Sequence, residues 1–214
     1  FDWDNTVIKN DIGDAFFIYM AKERLFRYSS FEEISPFFTP RAVERLENLR
    51  QEELFCELVS IYMGNSFCDG ENAFCGFDPN IINPGYAMVA SMLNGYRSEE
   101  ISDISGHVIE RALSNSPGSF ITIGTKDVPD YIRIYPAMEE LIFKLREHRF
   151  DVRIISASPD AVVKRFAAKI GFDASKVIGT QTVCGGDGCY TNKIAGCAGV
   201  SDGANSLMPY RDGK

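Results

Sequence analysis

Two carboxylates stand two positions apart at the head of the chain, in Phe1-Asp2-Trp3-Asp4-Asn5-Thr6-Val7. In an extended segment alternate side chains share a face, so Asp2 and Asp4 would project together. Carboxylates held that close repel one another unless a cation lies between them or one of them keeps a proton. Two functional chemistries follow: a metal site, or a nucleophile beside a proton-carrying acid. A third reading is structural, because Asp and Asn also build turns. A second stretch, Ile154-Ile155-Ser156, sets a hydroxyl at the end of an apolar run, and taken alone that Ser reads as a turn or N-cap residue.

These groups need elements to hold them, and the hydrophobic pattern supplies candidates. Residues 7–11 read as a polar turn and 14–28 as a helix with a broad apolar face from Ala15, Phe16, Ile18, Tyr19 and Leu25. Helical spacing runs through 41–63 and stops at Gly64. Residues 65–85 are rich in Gly, Asn, Asp and Pro and read as a loop. Its Asp69, Glu71, Asn72 and Asp78 do not have the spacing of a calcium-binding EF-hand loop, which leaves solvation. A short helix at 86–93 and a longer one opened by Ser98 as N-cap and running toward Leu113 follow.

The grammar then changes. Residues 120–123 and 131–134 have the β-branched and aromatic content of strands. Pro136 opens a helix to about residue 148, with Met138, Leu141, Ile142 and Leu145 as its apolar positions. A strand at 152–155, a turn at 156–159 and a helix at 160–170 ended by Gly171 come next. A strand at Val177-Ile178 and a hairpin through the Gly-rich turn between Cys184 and Cys189 complete the pattern. The alternation predicts an α/β fold with a doubly wound parallel core at 1–11 and 131–214, interrupted by a mostly helical insertion at 12–130. In such sheets ligands bind beyond the carboxyl ends of the strands, where both chemical stretches fall.

Bulk properties narrow the function classes. A hydrophobic content of 45% with 24% charged residues is that of an ordinary globular protein, and no apolar run reaches the length of a membrane span. A net charge of −8 without a basic stripe argues against a nucleic-acid-binding surface. The cysteines are Cys56, Cys68, Cys75, Cys184, Cys189 and Cys197. Cys68 with Cys75, and Cys184 with Cys189, flank short polar loops that disulfides would close, which slightly favours a secreted or periplasmic setting over the cytoplasm. The alternative is free thiols, and a zinc site lacks a Cys-x-x-Cys pair or a nearby His.

Taken together, Asp2-x-Asp4-x-Thr6 and Ile154-Ile155-Ser156 resemble the first and second motifs of the haloacid dehalogenase (HAD) superfamily, and in particular its phosphatases. The resemblance implies a Rossmann-like core with a C1-type helical cap. It makes Asp2 the nucleophile that forms an aspartyl-phosphate and Asp4 the general acid and base. Mg²⁺ would be bound by Asp2 and by the main chain of Asp4. Ser156 would hold a phosphoryl oxygen, helped by backbone amides around Asn5 and Ala157, with Thr6 in the same binding set. Gly213-Lys214 resembles the Gly-Lys of the third motif, which would make Lys214 the fourth catalytic residue; Lys193 and Lys176 compete for that role. Ser201-Asp202-Gly203-Ala204-Asn205-Ser206 resembles one form of the fourth motif but departs from it at Ser206, so Asp202 reads as a loop residue and the third metal ligand as lying beyond residue 214. On this reading the chain is part of a longer polypeptide.

The layout looks most like the phosphoserine and phosphorylcholine phosphatases, which act on small phosphate esters. Asp11, placed where that branch carries an acid near the substrate nitrogen, would bind an ammonium group or else cap the next helix. Trp3, with Tyr19 and Tyr62, would offer aromatic faces to the same cation. Two alternatives stay open: a phosphotransferase using the same Asp2, and a non-catalytic HAD-fold binding protein.

Overall fold

The structure, a computed structural model, describes residues 1–35, 37–78 and 82–195. In chain order its elements are β1 (Ile8–Lys9), α1 (Ile12–Glu23), α2 (Pro40–Glu47), α3 (Gln51–Gly64), α4 (Pro84–Ser91), α5 (Ser98–Ser114), β2 (Phe120–Ile123), β3 (Lys126–Pro129), β4 (Arg133–Ile134), α6 (Pro136–Glu147), β5 (Ile154–Pro159), α7 (Asp160–Ala167), β6 (Val177–Thr180), β7 (Thr182–Cys184) and β8 (Tyr190–Ile194). Helix and strand are therefore mixed along the chain, as the α/β reading requires. Among the described residues the strands pair in twos, β1 with β4, β2 with β3, β5 with β6 and β7 with β8, rather than in one wide sheet. By contact the described residues divide into a unit within 1–16 and 99–179 and a unit within 17–98 and 180–195.

In the first unit β5, α7 and β6 form a strand–helix–strand succession, the helix serving as the crossover that parallel neighbours need. The opening residues run along the free side of β5. The Phe1 nitrogen donates to Arg153 O at 2.8 Å, and Phe1 O accepts from Ile155 N at 2.9 Å. One residue bonded to the two that flank Ile154 is the parallel ladder pattern. This brings the first chemical stretch beside the second. Trp3, Ile12, Ile154, Val162, Val163 and Phe166 fill the core here, with the Trp3 and Phe166 rings edge to face at 5.3 Å. In the same unit, β1 and β4 pair antiparallel as a separate two-stranded sheet, with Ile8 opposite Ile134. Of the apolar stripe expected of α6, Ile142 is buried, Met138 and Leu145 are half-buried and Leu141 is exposed, as is the neighbouring Phe143.

The second unit is dominated by helices. The spacing at 41–63 resolves into α2 and α3, broken where Asn48 ends the first helix and Arg50 caps the second. A loop returns from α3 and is clasped by Arg45. Its guanidinium meets Glu57 at 2.8 Å, Asp69 at 2.7 Å and Glu71 at 3.1 Å, and lies 4.0 Å over the Phe67 ring. The acidic loop thus has an internal counter-ion rather than being simply solvated. Within this unit β7 and β8 form the expected hairpin, closed by Gly185 N donating to Cys189 O at 2.7 Å.

Several expectations are corrected. α1 starts at Ile12 and ends at Glu23, earlier at both ends than 14–28. Its end is set by Arg24, which takes the left-handed conformation at φ 57° while Leu25 N donates back to Met20 O at 3.0 Å. β1 and β3 were not expected. Residues 156–159 continue strand β5 instead of turning. Cys56, Cys68, Cys75, Cys184 and Cys189 are free thiols, so neither expected disulfide is formed; Cys197 lies outside the described residues. Among the described residues no helix is long and apolar enough to cross a membrane.

Candidate active site

The site is built where the segment after Asp2 turns back on itself. Trp3 O accepts the amides of Thr6, Val7 and Ile8 at 3.3, 2.9 and 3.1 Å, which makes a tight turn around Asp4 and Asn5. Asn5 and Asn10 close the following loop reciprocally: Asn5 N donates to Asn10 O at 3.3 Å and Asn10 N to Asn5 Oδ1 at 3.1 Å. Both take left-handed backbone, at φ 56° and 66°, which Asn tolerates better than most residues. The chain then enters α1, capped by Asp11, whose Oδ1 accepts from Gly13 N at 2.7 Å and Asp14 N at 3.1 Å.

Asp4 is at the centre. Its Oδ1 accepts from Ile12 N at 2.8 Å, a donor of the first turn of α1. Its Oδ2 accepts from Ser156 Oγ at 3.0 Å and Ser158 Oγ at 2.9 Å, both reaching over from β5. Ser158 N in turn donates to Ser156 Oγ at 3.0 Å, and Ser158 Oγ also lies 3.5 Å from Asp11 Oδ1. The two serines are 2% and 5% exposed. Gly13 leaves room for them, since a Cβ there would stand 2.8 Å from Ser158 Oγ.

Burial pushes the Asp4 carboxyl up to about 7, with the negative charge of Asp11 adding to the rise and the bonds from Ile12, Ser158 and Ser156 opposing it. Burial likewise pushes Asp11 up to about 7, with Asp14 adding to it and the amides of Asp14 and Gly13 opposing. An acid poised near neutrality can both give and take a proton at physiological pH. Asp2 is placed differently. It is exposed, outside the Asp4 network, and its Oδ2 accepts from Thr6 Oγ1 at 2.9 Å.

The structure therefore brings Asp4, Ser156 and Asp11 together, with Asp2 and Thr6 on the same turn. Asp11 is the helix cap, the structural one of its two anticipated roles. Trp3 is corrected outright: it is 0% exposed and packed on Phe166, so it presents no face to a substrate. The Asn5 amide is spent on Asn10 O instead of facing an anion. Ala157 sits half-buried on β5. Tyr62 packs against Phe17 at 4.4 Å between ring centres in the second unit. Lys214 lies outside the described residues, as does Asp202. Of its competitors, Lys176 is paired with Asp151 at 2.6 Å and Lys193 is exposed on β8. Sequence reasoning missed Ser158 and Gly13. Ser158 was within reach, because it follows Ser156 at the period that puts both on one face of a strand.

Beside Asp11 lies a depression of about 240 Å³ lined by Asn5, Asn10, Asp11, Asp14 and Pro129. Its lining is acidic and amide-rich and contains no cationic side chain. As for a metal, no three His, Cys, Asp or Glu side chains gather among the described residues to form a cage. The exposed Asp2 carboxylate is a hard oxygen donor of the kind Mg²⁺ accepts, and that ion commonly uses one or two protein carboxylates and completes its shell with water and phosphate. To that extent the residues fit.

No family model and no curated protein matches the chain. Solved structures do. A protein of unknown function from Anaerococcus prevotii superposes with a TM-score of 0.62 at 20% identity, over 90% of this chain and 63% of that one. A protein of unknown function from Bordetella pertussis does so at 0.52 and 13% identity, over 91% and 64%. These likenesses establish a shared fold, and this chain spans just under two thirds of each neighbour. A phosphoserine phosphohydrolase-like protein from Francisella tularensis, at 0.41 and 13% identity over 99% and 70%, is too remote to carry an argument.

Proposed function

We propose that the chain carries the nucleophile and the acid of a HAD-type phosphomonoesterase acting on a small phosphate ester. The observation that supports it most is the convergence on one carboxyl. Asp4 and Ser156 are 152 residues apart in sequence, yet bonded at 3.0 Å, so two motifs that resemble one family separately also meet in space. Asp2, on the same turn, is exposed and free of burial, as a nucleophile toward an incoming phosphate must be.

In this reading an Asp2 oxygen attacks phosphorus; the bond from phosphorus to the ester oxygen breaks, and that oxygen takes the Asp4 proton as it leaves. Asp4, now a carboxylate, takes a proton from water as the water oxygen attacks phosphorus. Inorganic phosphate departs and the Asp2 carboxylate is restored. Ser156 donates to a phosphoryl oxygen. Mg²⁺, held by the Asp2 carboxylate and the Asp4 main-chain carbonyl, would reduce the repulsion between nucleophile and phosphate. Lys214 is the candidate for the remaining positive charge, the strands within 1–11 and 131–214 belong to a Rossmann-like core, and the mostly helical stretch 12–130 acts as the cap.

The acidic depression at Asn5, Asn10, Asp11 and Asp14 supports an amino-alcohol phosphate such as phosphorylcholine or phosphoserine, whose cationic nitrogen suits a lining with no cation of its own. The test is phosphate release from these esters in Mg²⁺ by the parent chain and by Asp2→Asn. We expect the variant to melt like the parent and to release no phosphate; turnover by Asp2→Asn would end the proposal.

A further inference from the structure

The proposed chemistry asks too much of one hydroxyl. Ser156 Oγ has a single proton, which it gives to Asp4 Oδ2 at 3.0 Å. If Ser156 is to hold a phosphoryl oxygen, that proton must turn toward the substrate, and Asp4 loses it as a partner. A second donor is already in place. Ser158 Oγ lies 2.9 Å from the same Asp4 oxygen. It is nearly fully buried, one strand period along β5 and on the same face, and the absence of a side chain at Gly13 leaves it that position. Ser158 N also donates to Ser156 Oγ at 3.0 Å, filling its acceptor side and leaving its proton as the part that can redirect.

From this geometry we infer that Ser158 is the positioning residue for the general acid: it keeps the Asp4 carboxyl aimed when Ser156 turns to the phosphate. The inference rests on the phosphatase reading and adds a division of labour between the two serines. Ile12 N fixes Asp4 Oδ1 at 2.8 Å throughout, so Ser158 and the α1 amide together hold both oxygens of the acid. Ser158 touches neither substrate nor reacting atoms in this scheme. Its effect passes mainly through Asp4, at 2.9 Å, with a longer 3.5 Å contact to Asp11 Oδ1 beside it.

That distinction gives a readout that a merely structural role would not move. An alkyl phosphate needs a proton on its leaving oxygen, whereas p-nitrophenyl phosphate releases a stabilised phenolate with little help. We expect Ser158→Ala to lower kcat on ethanolamine phosphate about tenfold, the scale of one lost hydrogen bond to a charged group, with KM unchanged. On p-nitrophenyl phosphate the loss should stay within about twofold, since protonation is not limiting there. Ser158→Thr, which keeps the hydroxyl, should recover most of the alkyl-ester rate. Should Ser158→Ala not fold, Ser158→Cys, close in size and a weak donor, takes its place in the same comparison.

Equal losses on both esters, a rise in KM with kcat kept, or no loss at all overturns the inference. The outcome separates it from its foundation: if Asp2→Asn is inactive but Ser158→Ala shows no dependence on the leaving group, only the role of Ser158 falls. If Asp2→Asn turns over, the phosphatase reading falls and takes this role with it.

Discussion

Asp4 and Asp11 are acids that folding makes harder to ionise, by burial first and then by a negative neighbour, and this has a consequence for stability. Both rise from 3.8 to about 7, so the protonated forms favour the folded state. Their contribution is fully present below the unfolded value and is lost as pH rises through the folded one. We predict a thermal midpoint that declines as pH is raised from about 4 to about 7 and then levels, with a shallower decline in Asp4→Asn, which lacks the titrating group. A midpoint that climbs over that window, or an unchanged slope in the variant, contradicts the assignment. Part of the candidate site was legible at the residue level: the two motif resemblances picked out Asp4 and Ser156, which the structure joins at 3.0 Å. Trp3 was not legible, because an aromatic ring suits a cation and a core equally and only burial decides between them. Asp11 was legible as one of two roles, and the cap bonds to Gly13 and Asp14 are the role the structure displays.

At the scale of elements, β5 is where sequence and structure part most usefully. A Ser-Ala-Ser-Pro run reads as a turn on propensity, yet it continues the strand, because pairing of β5 with β6 supplies the ladder that its own composition does not favour. Taking it for a turn hid Ser158. The two-residue β1 and the Lys-Asp-Val-Pro strand β3 are too short or too polar for an alternation to show. The single helix expected at 41–63 failed for a different reason: the apolar period persists across the break at 48–50, so periodicity alone does not locate it. β6 crosses the start of α7 at its tightest point. A Cβ on Gly179 would lie 2.5 Å from Asp160 Cα and 2.6 Å from Ser158 O, both backbone atoms with no rotamer to yield. We therefore predict that Gly179→Ala costs about 3 kcal/mol or more in urea unfolding, the upper end of overpacking effects. A loss below about 1 kcal/mol would show that β6 is free to shift.

For the molecule as a whole, the cysteines offer a direct check. Cys68, Cys75 and Cys184 are exposed free thiols. Alkylation of the native protein without reductant should label all three, as read by peptide mass. Protection of Cys68 together with Cys75 until reductant is added would restore the disulfide that the loop spacing suggested. One feature of the core turns into a practical asset. Trp3 is the chain's sole tryptophan, is wholly buried, and has an indole Nε1 without a hydrogen-bond partner among the described residues. Its fluorescence should therefore be that of an indole in an apolar setting, shifting to longer wavelength on unfolding. Because it stands between Asp2 and Asp4 in sequence, the protein carries a built-in optical reporter of whether the core beneath its candidate catalytic turn is intact, without any added dye.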